Sequence, residues 1–149
     1  MAHLLDANVL VRLANIADPR NAVAARAVFE LHRRGEVLHV TPQVLIEFLN
    51  VATRPLAVNG LGLSTTDAEA QAATITATFP LLVETPDIYP AWKALVEALG
   101  VVGKQVHDAR LVAACHVHNV SHLLTFNVTH FTRLAGFGPG VTVVDPASM

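Results

Sequence analysis

His-Leu-Leu-Asp-Ala-Asn-Val-Leu-Val, residues 3–11, is the stretch that most constrains the fold. The apolar run from His3 to Leu5 predicts a short buried strand, which stops at Asp6. A helix is predicted to follow over 9–17. In a parallel α/β sheet, ligands bind outside the carboxyl ends of the strands, which is where Asp6 would lie. A turn or helix N-cap aspartate is the alternative interpretation of this residue.

The rest of the chain alternates short apolar runs with helical patterns. Further strands are predicted over 37–40, 81–83, 122–125 and 141–144, and helices over 22–34, 43–53, 65–78, 88–99 and 106–118. Asn21 is a candidate N-cap, and Thr41-Pro42 is typical of a helix start. Continuous apolar strands separated by helices predict an α/β fold whose mostly parallel five-stranded sheet is covered by helices on both faces. We expect one domain over 1–145 and a loose tail over 146–149.

Composition excludes several classes of protein. The chain has 149 residues, of which 52% are hydrophobic and 15% charged, with a formal net charge of −2. These values exclude a disordered chain, a coiled coil and a strongly basic protein that coats nucleic acid. The single cysteine excludes a disulfide framework and predicts a cytoplasmic protein. No apolar run reaches the ~18 residues that would predict a membrane span.

Two more carboxylates occur on helices that are otherwise almost entirely apolar. Glu47 lies in such a helix, where a buried carboxylate is costly unless it is paired or bound to a cation. The alternative is that Glu47 lies on a solvated stripe beside Arg54. Asp108 lies in the first turn of its helix, where the helix dipole alone would also favour an acid.

Three carboxylates gathered in one place would repel one another unless a cation neutralised them. Oxygen ligands select Mg²⁺ or Mn²⁺, and these ions bind phosphates and activate water, which suits phosphodiester hydrolysis. Thr125 ends the predicted strand over 122–125, and Asn127 follows two positions later. Their position at a strand's carboxyl end indicates the same sheet edge as Asp6. Both could also be ordinary turn formers.

Four segments, residues 5–11, 42–51, 107–113 and 124–131, together resemble PIN-domain ribonucleases, and among these the small toxins of the VapC type. The resemblance implies a three-layer α/β/α fold with strand order 3-2-1-4-5. It also implies endonucleolytic cleavage of single-stranded or loop RNA by metal-activated water, as the toxin of a type II toxin–antitoxin pair. The partners that it implies are a cognate antitoxin protein and a second copy of the chain in a homodimer.

The resemblance also assigns site residues. Asp6, Glu47 and Asp108 match the catalytic, metal-binding acids, and Asn8 and Thr125 match residues that orient them. Asn127 and His130 stand where many members have aspartate, so they are candidate metal ligands and the fourth acid is absent.

Among the arginines, Arg110 and Arg12 are the candidate RNA contacts. A PIN scaffold that binds RNA or protein without cutting is the main alternative function, because the fourth acid is missing. A zinc site is disfavoured because no His-Glu-x-x-His motif occurs. Asp6-Ala7-Asn8 lacks the second aspartate and the threonine expected of haloacid-dehalogenase-like phosphatases.

Overall fold

Four short strands form the central sheet of the computed structural model, which covers residues 1–149: β1 (Ala2–Leu5), β2 (Val37–His39), β3 (His122–Leu124) and β4 (Thr142–Val144). All neighbouring strands are parallel, in the order β2-β1-β3-β4. Leucines in the three adjoining strands β2, β1 and β3 are almost completely buried. This explains why these strands are continuous apolar runs, since both faces of the sheet are covered.

Seven helices flank the sheet: α1 (Ala7–Ala14), α2 (Asn21–Arg33), α3 (Pro42–Thr53), α4 (Thr65–Thr78), α5 (Ile88–Leu99), α6 (Gln105–Val117) and α7 (Val128–Ala135). Two short 3-10 helices span Leu56–Val58 and Pro146–Ser148. The α/β class is therefore confirmed. The predicted start of α3 is also confirmed, because the Thr41 hydroxyl accepts a hydrogen bond from the backbone N–H of Val44 at 3.3 Å.

The prediction of five strands is wrong by one. The segment 81–83 contributes a single parallel bridge, between Leu81 and Val40, rather than a strand. Pro80 precedes it and has no N–H to donate to a ladder, and Leu81 and Val83 are exposed, so only Leu82 packs against the core. The bridge lies on the β2 side, where the strand order 3-2-1-4-5 places the third strand.

Two boundary predictions also differ from the structure. Helix α1 ends at Ala14 rather than at residue 17, which leaves backbone carbonyls without helical partners. The side chain of Asn21 does not cap α2 but donates to the carbonyls of Arg12 at 2.7 Å and Leu13 at 3.3 Å. Asn21 thereby joins the end of α1 to the start of α2.

The tail predicted to be loose over 146–149 is ordered. Asp145 begins a short 3-10 helix by accepting a hydrogen bond from the N–H of Ala147 at 2.9 Å. Pro146 is buried, and this 3-10 helix packs against α2. The tail is held because Pro146 is buried and Met149 packs against the apolar core.

Candidate metal centre

Asp6 lies at the carboxyl end of β1 and is 6% exposed. Its backbone N–H donates to the carbonyl of Leu124 at 3.0 Å, which brings the ends of β1 and β3 together. Asp6 occupies the N-cap position of α1, but its side chain makes no capping hydrogen bond. The capping interpretation therefore does not account for the carboxylate.

A closed set of hydrogen bonds holds the Asp6 carboxylate. Its Oδ2 accepts from the Thr125 hydroxyl at 2.7 Å and from Nδ2 of Asn8 at 2.9 Å. The Thr125 oxygen in turn accepts from Nδ2 of Asn8 and from the N–H of Asn127, each at 3.0 Å. Oδ1 of Asn8 accepts from the N–H of Phe126 at 3.1 Å. The Thr125 hydroxyl thus donates one hydrogen bond and accepts two, which is its full capacity. The amide of Asn8 has one possible orientation, because its nitrogen must donate and its oxygen must accept.

Glu47 lies on α3 and is half-buried. Nε2 of Gln43, one turn earlier, donates to Oε1 of Glu47 at 3.0 Å and to the carbonyl of His107 at 2.9 Å. Arg110 donates to Oε1 of Gln43 at 3.1 Å and to Glu84 at 2.6 Å. Glu47 forms no ion pair with Arg54, which instead donates to the carbonyl of Asn59. The predicted RNA contact Arg110 therefore has two partners within the protein.

Asp108 lies in the first turn of α6, and its side chain is 28% exposed. Nδ1 of His130 approaches its Oδ2 at 3.9 Å. Burial raises the pKa of Asp108 above its usual range, the nearby His130 lowers it, and Glu47 raises it. His130 thus lies beside one of the three acids, as expected from its position in the last of the four segments.

Electrostatics couple the three carboxylates. Burial raises the pKa of Asp6 to about 6, the hydrogen bond from Thr125 lowers it, and the negative charges of Glu47 and Asp108 raise it further. The side chains of all three acids line one cleft of about 460 Å³, together with Asn8, Arg12 and Asn127. The cleft opens at the carboxyl edge of the sheet, where parallel α/β proteins bind their ligands.

Sequence reasoning missed several residues of this site. Asp18, Asn50 and Asn59 also line the cleft. Asp18 has no distinguishing signal, because its Oδ1 accepts from the N–H of Arg20 as in an ordinary turn. Gln43 could have been found, since residues four apart on a helix share a face.

The donor set fits a hard divalent cation. The side-chain atoms of the three acids and of Asn127 that could bind a metal are oxygens, which Mg²⁺ and Mn²⁺ prefer. No three acidic, histidine or cysteine side chains converge closely enough to hold an ion by themselves. Mg²⁺ is commonly held by one or two carboxylates, with water and phosphate oxygens as its other ligands. A bound ion could therefore use part of the acidic set.

Comparison with known families identifies the fold. The family model for the PIN domain matches residues 3–136. This chain belongs to the PIN domain family. The identification made from the four sequence segments is therefore confirmed, and the cleft lies in a PIN domain. No match was found among curated proteins. None of the helices is both long and apolar enough to cross a membrane.

Solved structures with this PIN fold include components of toxin–antitoxin systems. A chain of the promoter-DNA-bound VapBC2 complex from Rickettsia felis superposes with a TM-score of 0.71 at 14% identity, covering 97% of this chain and 98% of that one. A toxin–antitoxin complex from Klebsiella pneumoniae gives 0.64 at 22% identity, covering 97% of each chain. VapC20 of Mycobacterium tuberculosis, a toxin that cleaves the sarcin–ricin loop, gives 0.60 at 20% identity, covering 81% of this chain and 86% of that one.

Proposed function

We propose that this PIN domain is a metal-dependent endoribonuclease and the toxin of a type II toxin–antitoxin pair. The observation that carries the proposal is that Asp6, Glu47 and Asp108 all line one cleft at the carboxyl edge of the sheet. The fold is also that of a toxin that cleaves an RNA loop, VapC20. An RNA substrate and a single free cysteine fit a cytoplasmic location.

The side chains of the cleft have separable roles in this proposal. A bound Mg²⁺ or Mn²⁺ would polarise the scissile phosphate and lower the pKa of a water molecule. Asp6 is held in one orientation by Asn8 and Thr125, and with a pKa of about 6 it is mostly ionised at neutral pH. Gln43 orients Glu47. No side chain in the cleft is assigned as a nucleophile.

Asn127 and His130 are assigned weaker roles. Asn127 lines the cleft, but its side chain carries no charge, so the site has three carboxylates rather than four to offset two divalent ions. We therefore expect one firmly bound ion and a second that binds weakly or together with RNA. His130 beside Asp108 would favour Mn²⁺, since imidazole suits Mn²⁺ better than Mg²⁺. Calorimetric titration of both ions into the parent, Asn127→Asp and His130→Ala tests these roles.

An apolar groove supports the proposed antitoxin partner. It has a volume of about 430 Å³ and lies between α1, α2 and α4. Its wall includes Phe29, which is 64% exposed. Such a groove suits the apolar face of an amphipathic segment. We assign it to the antitoxin, and expect a Phe29→Ser variant to lose the partner in co-purification while RNA cleavage is retained.

A second function is a PIN scaffold that binds RNA or protein without cutting. The missing fourth acid favours it, as does the absence of three ligands converging on one point. Homodimerisation, which we also propose, would serve either function and does not separate them.

Cleavage of defined RNAs separates the two functions. The protein should cut single-stranded or loop RNA with Mg²⁺ or Mn²⁺ and not with chelator. Asp108→Asn should be inactive, whereas Asp87→Asn, which removes an exposed carboxylate outside the cleft, should cut like the parent. RNA binding by the parent without cleavage under any of these conditions would support the scaffold.

A further inference from the structure

Two arginines share one aromatic ring at the edge of the catalytic cleft. The guanidinium carbon of Arg12 lies 4.8 Å from the ring centre of Phe126, and that of Arg20 lies 5.4 Å from the same centre. Arg12 lines the cleft with the three acids. We call these three side chains the Arg-Phe-Arg cluster. It joins α1 and the loop before α2 to the segment after β3, which lies more than 100 residues later in the sequence.

The two guanidinium groups have no anionic partner within the protein. Arg33 forms an ion pair with Glu30, and Arg110 with Glu84, but neither Arg12 nor Arg20 pairs with a carboxylate. Nε of Arg12 is buried and has no hydrogen-bond partner. Two like charges gathered at one ring repel each other, and a buried donor without an acceptor costs free energy. An anion bound to both guanidinium groups would remove the repulsion between them.

One acid lies close by without neutralising the cluster. Asp18 lines the same cleft, but its Oδ1 accepts from the backbone N–H of Arg20 at 2.7 Å. Neither guanidinium forms an ion pair with it. The carboxylate of Asp18 therefore shapes the loop that carries Arg20, and the positive charge of the cluster remains available to a ligand.

The cluster is fastened to the metal centre through Asn8. Nη1 of Arg12 donates to the carbonyl of Asn8 at 3.0 Å, and the N–H of Phe126 donates to its Oδ1. The side-chain nitrogen of Asn8 holds the Asp6 carboxylate. A ligand anion on Arg12 and Arg20 would thus be placed at a fixed position relative to Asp6.

We infer that Arg12 and Arg20 bind a backbone phosphate of single-stranded RNA, next to the phosphate that is cleaved. This assignment rests on the proposed ribonuclease function. Guanidinium groups suit phosphate because their planar donors match its oxygens, and the contact of both groups with Phe126 keeps them near each other. The cluster, rather than Arg110, supplies the cationic contact to the substrate, because the guanidinium of Arg110 is already bound to Gln43 and Glu84.

The salt dependence of RNA binding tests the cluster. A short fluorescein-labelled single-stranded RNA is titrated with the full-length protein in EDTA, so that no cleavage occurs, over a series of salt concentrations. Each phosphate contact with single-stranded nucleic acid contributes about −0.7 to the slope of log K against log salt concentration. Arg20→Gln should weaken binding several-fold and make that slope shallower by about 0.7, the contribution of one phosphate contact. Arg12→Gln should act in the same direction.

Arg34→Gln is the matched control, because Arg34 is exposed, follows α2 and lies near the opposite edge of the sheet. It should bind RNA like the parent. Arg20→Gln is the decisive variant, since the Arg20 guanidinium makes no hydrogen bond whose loss would disturb the fold. An unchanged affinity and slope for Arg20→Gln would contradict phosphate binding by the Arg-Phe-Arg cluster. The same conclusion would follow if Arg20→Gln weakened the binding of a poly-glutamate peptide as much as it weakened the binding of RNA.

Cleavage measured in parallel with Mg²⁺ or Mn²⁺ separates this inference from the proposed function. If the parent cuts RNA and Arg20→Gln keeps the full salt slope, only phosphate binding by the cluster is contradicted. If the parent never cuts RNA and Arg20→Gln has a reduced slope, the ribonuclease function is contradicted and phosphate binding by the cluster is supported.

Discussion

The two edges of the central sheet bury titratable side chains in different ways. At the carboxyl edge, Asp6 has its hydrogen bonds supplied by Asn8 and Thr125 and faces an open cleft. At the amino edge, His3 is 2% exposed, packs against His122 with ring centres 4.6 Å apart, and leaves its Nδ1 without a hydrogen bond. No cleft opens onto His3. Burial alone therefore does not distinguish Asp6 from His3, whereas the completed set of hydrogen bonds and the adjoining cleft do.

The largest expected difference between the edges is in catalysis. Asp6→Asn, Glu47→Gln and Asp108→Asn should each reduce RNA cleavage by more than about 100-fold, which is the upper range for losing a group that merely supports a metal ligand. His3→Leu should leave cleavage unchanged, because His3 is remote from the cleft. Initial rates on one defined RNA measure both effects. If His3→Leu and Asp108→Asn lowered the cleavage rate equally, the two edges would not differ in their importance for catalysis.

The Thr125 hydroxyl should matter nearly as much as the acids that it supports. Thr125→Val keeps the shape but leaves Asp6, Asn8 and the backbone N–H of Asn127 each without one hydrogen bond. We therefore expect about 10- to 100-fold lower activity and about 1–3 kcal/mol lower stability. Thr125→Ser retains the hydroxyl and should keep most of the activity. Cleavage rates and urea unfolding report the two losses separately. Full activity in Thr125→Val would show that the hydrogen-bonded set does not position Asp6.

The ionisable groups at the two edges should make stability depend on pH in opposite directions, and at the carboxyl edge the group responsible is Asp6. Burial raises its pKa from 3.8 to about 6, so between these values the folded state holds more protons than the unfolded state. Stability in chelator should therefore fall as pH rises through this window, by at most about 3 kcal/mol. Asp6→Asn should be more stable than the parent at pH 7 and equal to it below the window. A stability difference independent of pH would contradict the assigned cause.

At the amino edge, His3 is the group that makes stability depend on pH. Burial, assisted by the neighbouring His122 and opposed by Glu36, lowers its pKa from 6.5 to about 4. The unfolded state binds the proton first, so stability should fall as pH drops from 6.5 towards 4, again by at most about 3 kcal/mol. His3→Leu should flatten this part of the pH profile. His107→Gln, a change of an exposed histidine, should leave it intact, and denaturant midpoints at several pH values would detect the difference.

Local patterns predicted the strand ends well, and long-range contacts were harder to predict. Asp6 and Thr125 each follow an apolar run, so their place at the carboxyl edge could be inferred from sequence. The hydrogen bond of Gln43 to the carbonyl of His107 joins residues 64 positions apart, and no local pattern encodes it. The same holds for Arg20 against Phe126. The apolar run over 81–83 predicts a strand, but after Pro80 and with Val83 exposed the segment forms only one bridge.

Calorimetric titration of Mn²⁺ tests most directly whether the carboxyl-edge acids form one metal site. The parent should bind the ion, and Asp6→Asn, Glu47→Gln and Asp108→Asn should each lose most of that affinity, because each removes one negative charge from the same cleft. His3→Leu, at the other edge of the sheet, should bind like the parent. Equal Mn²⁺ affinities in the parent and the three acid variants would contradict a shared metal site.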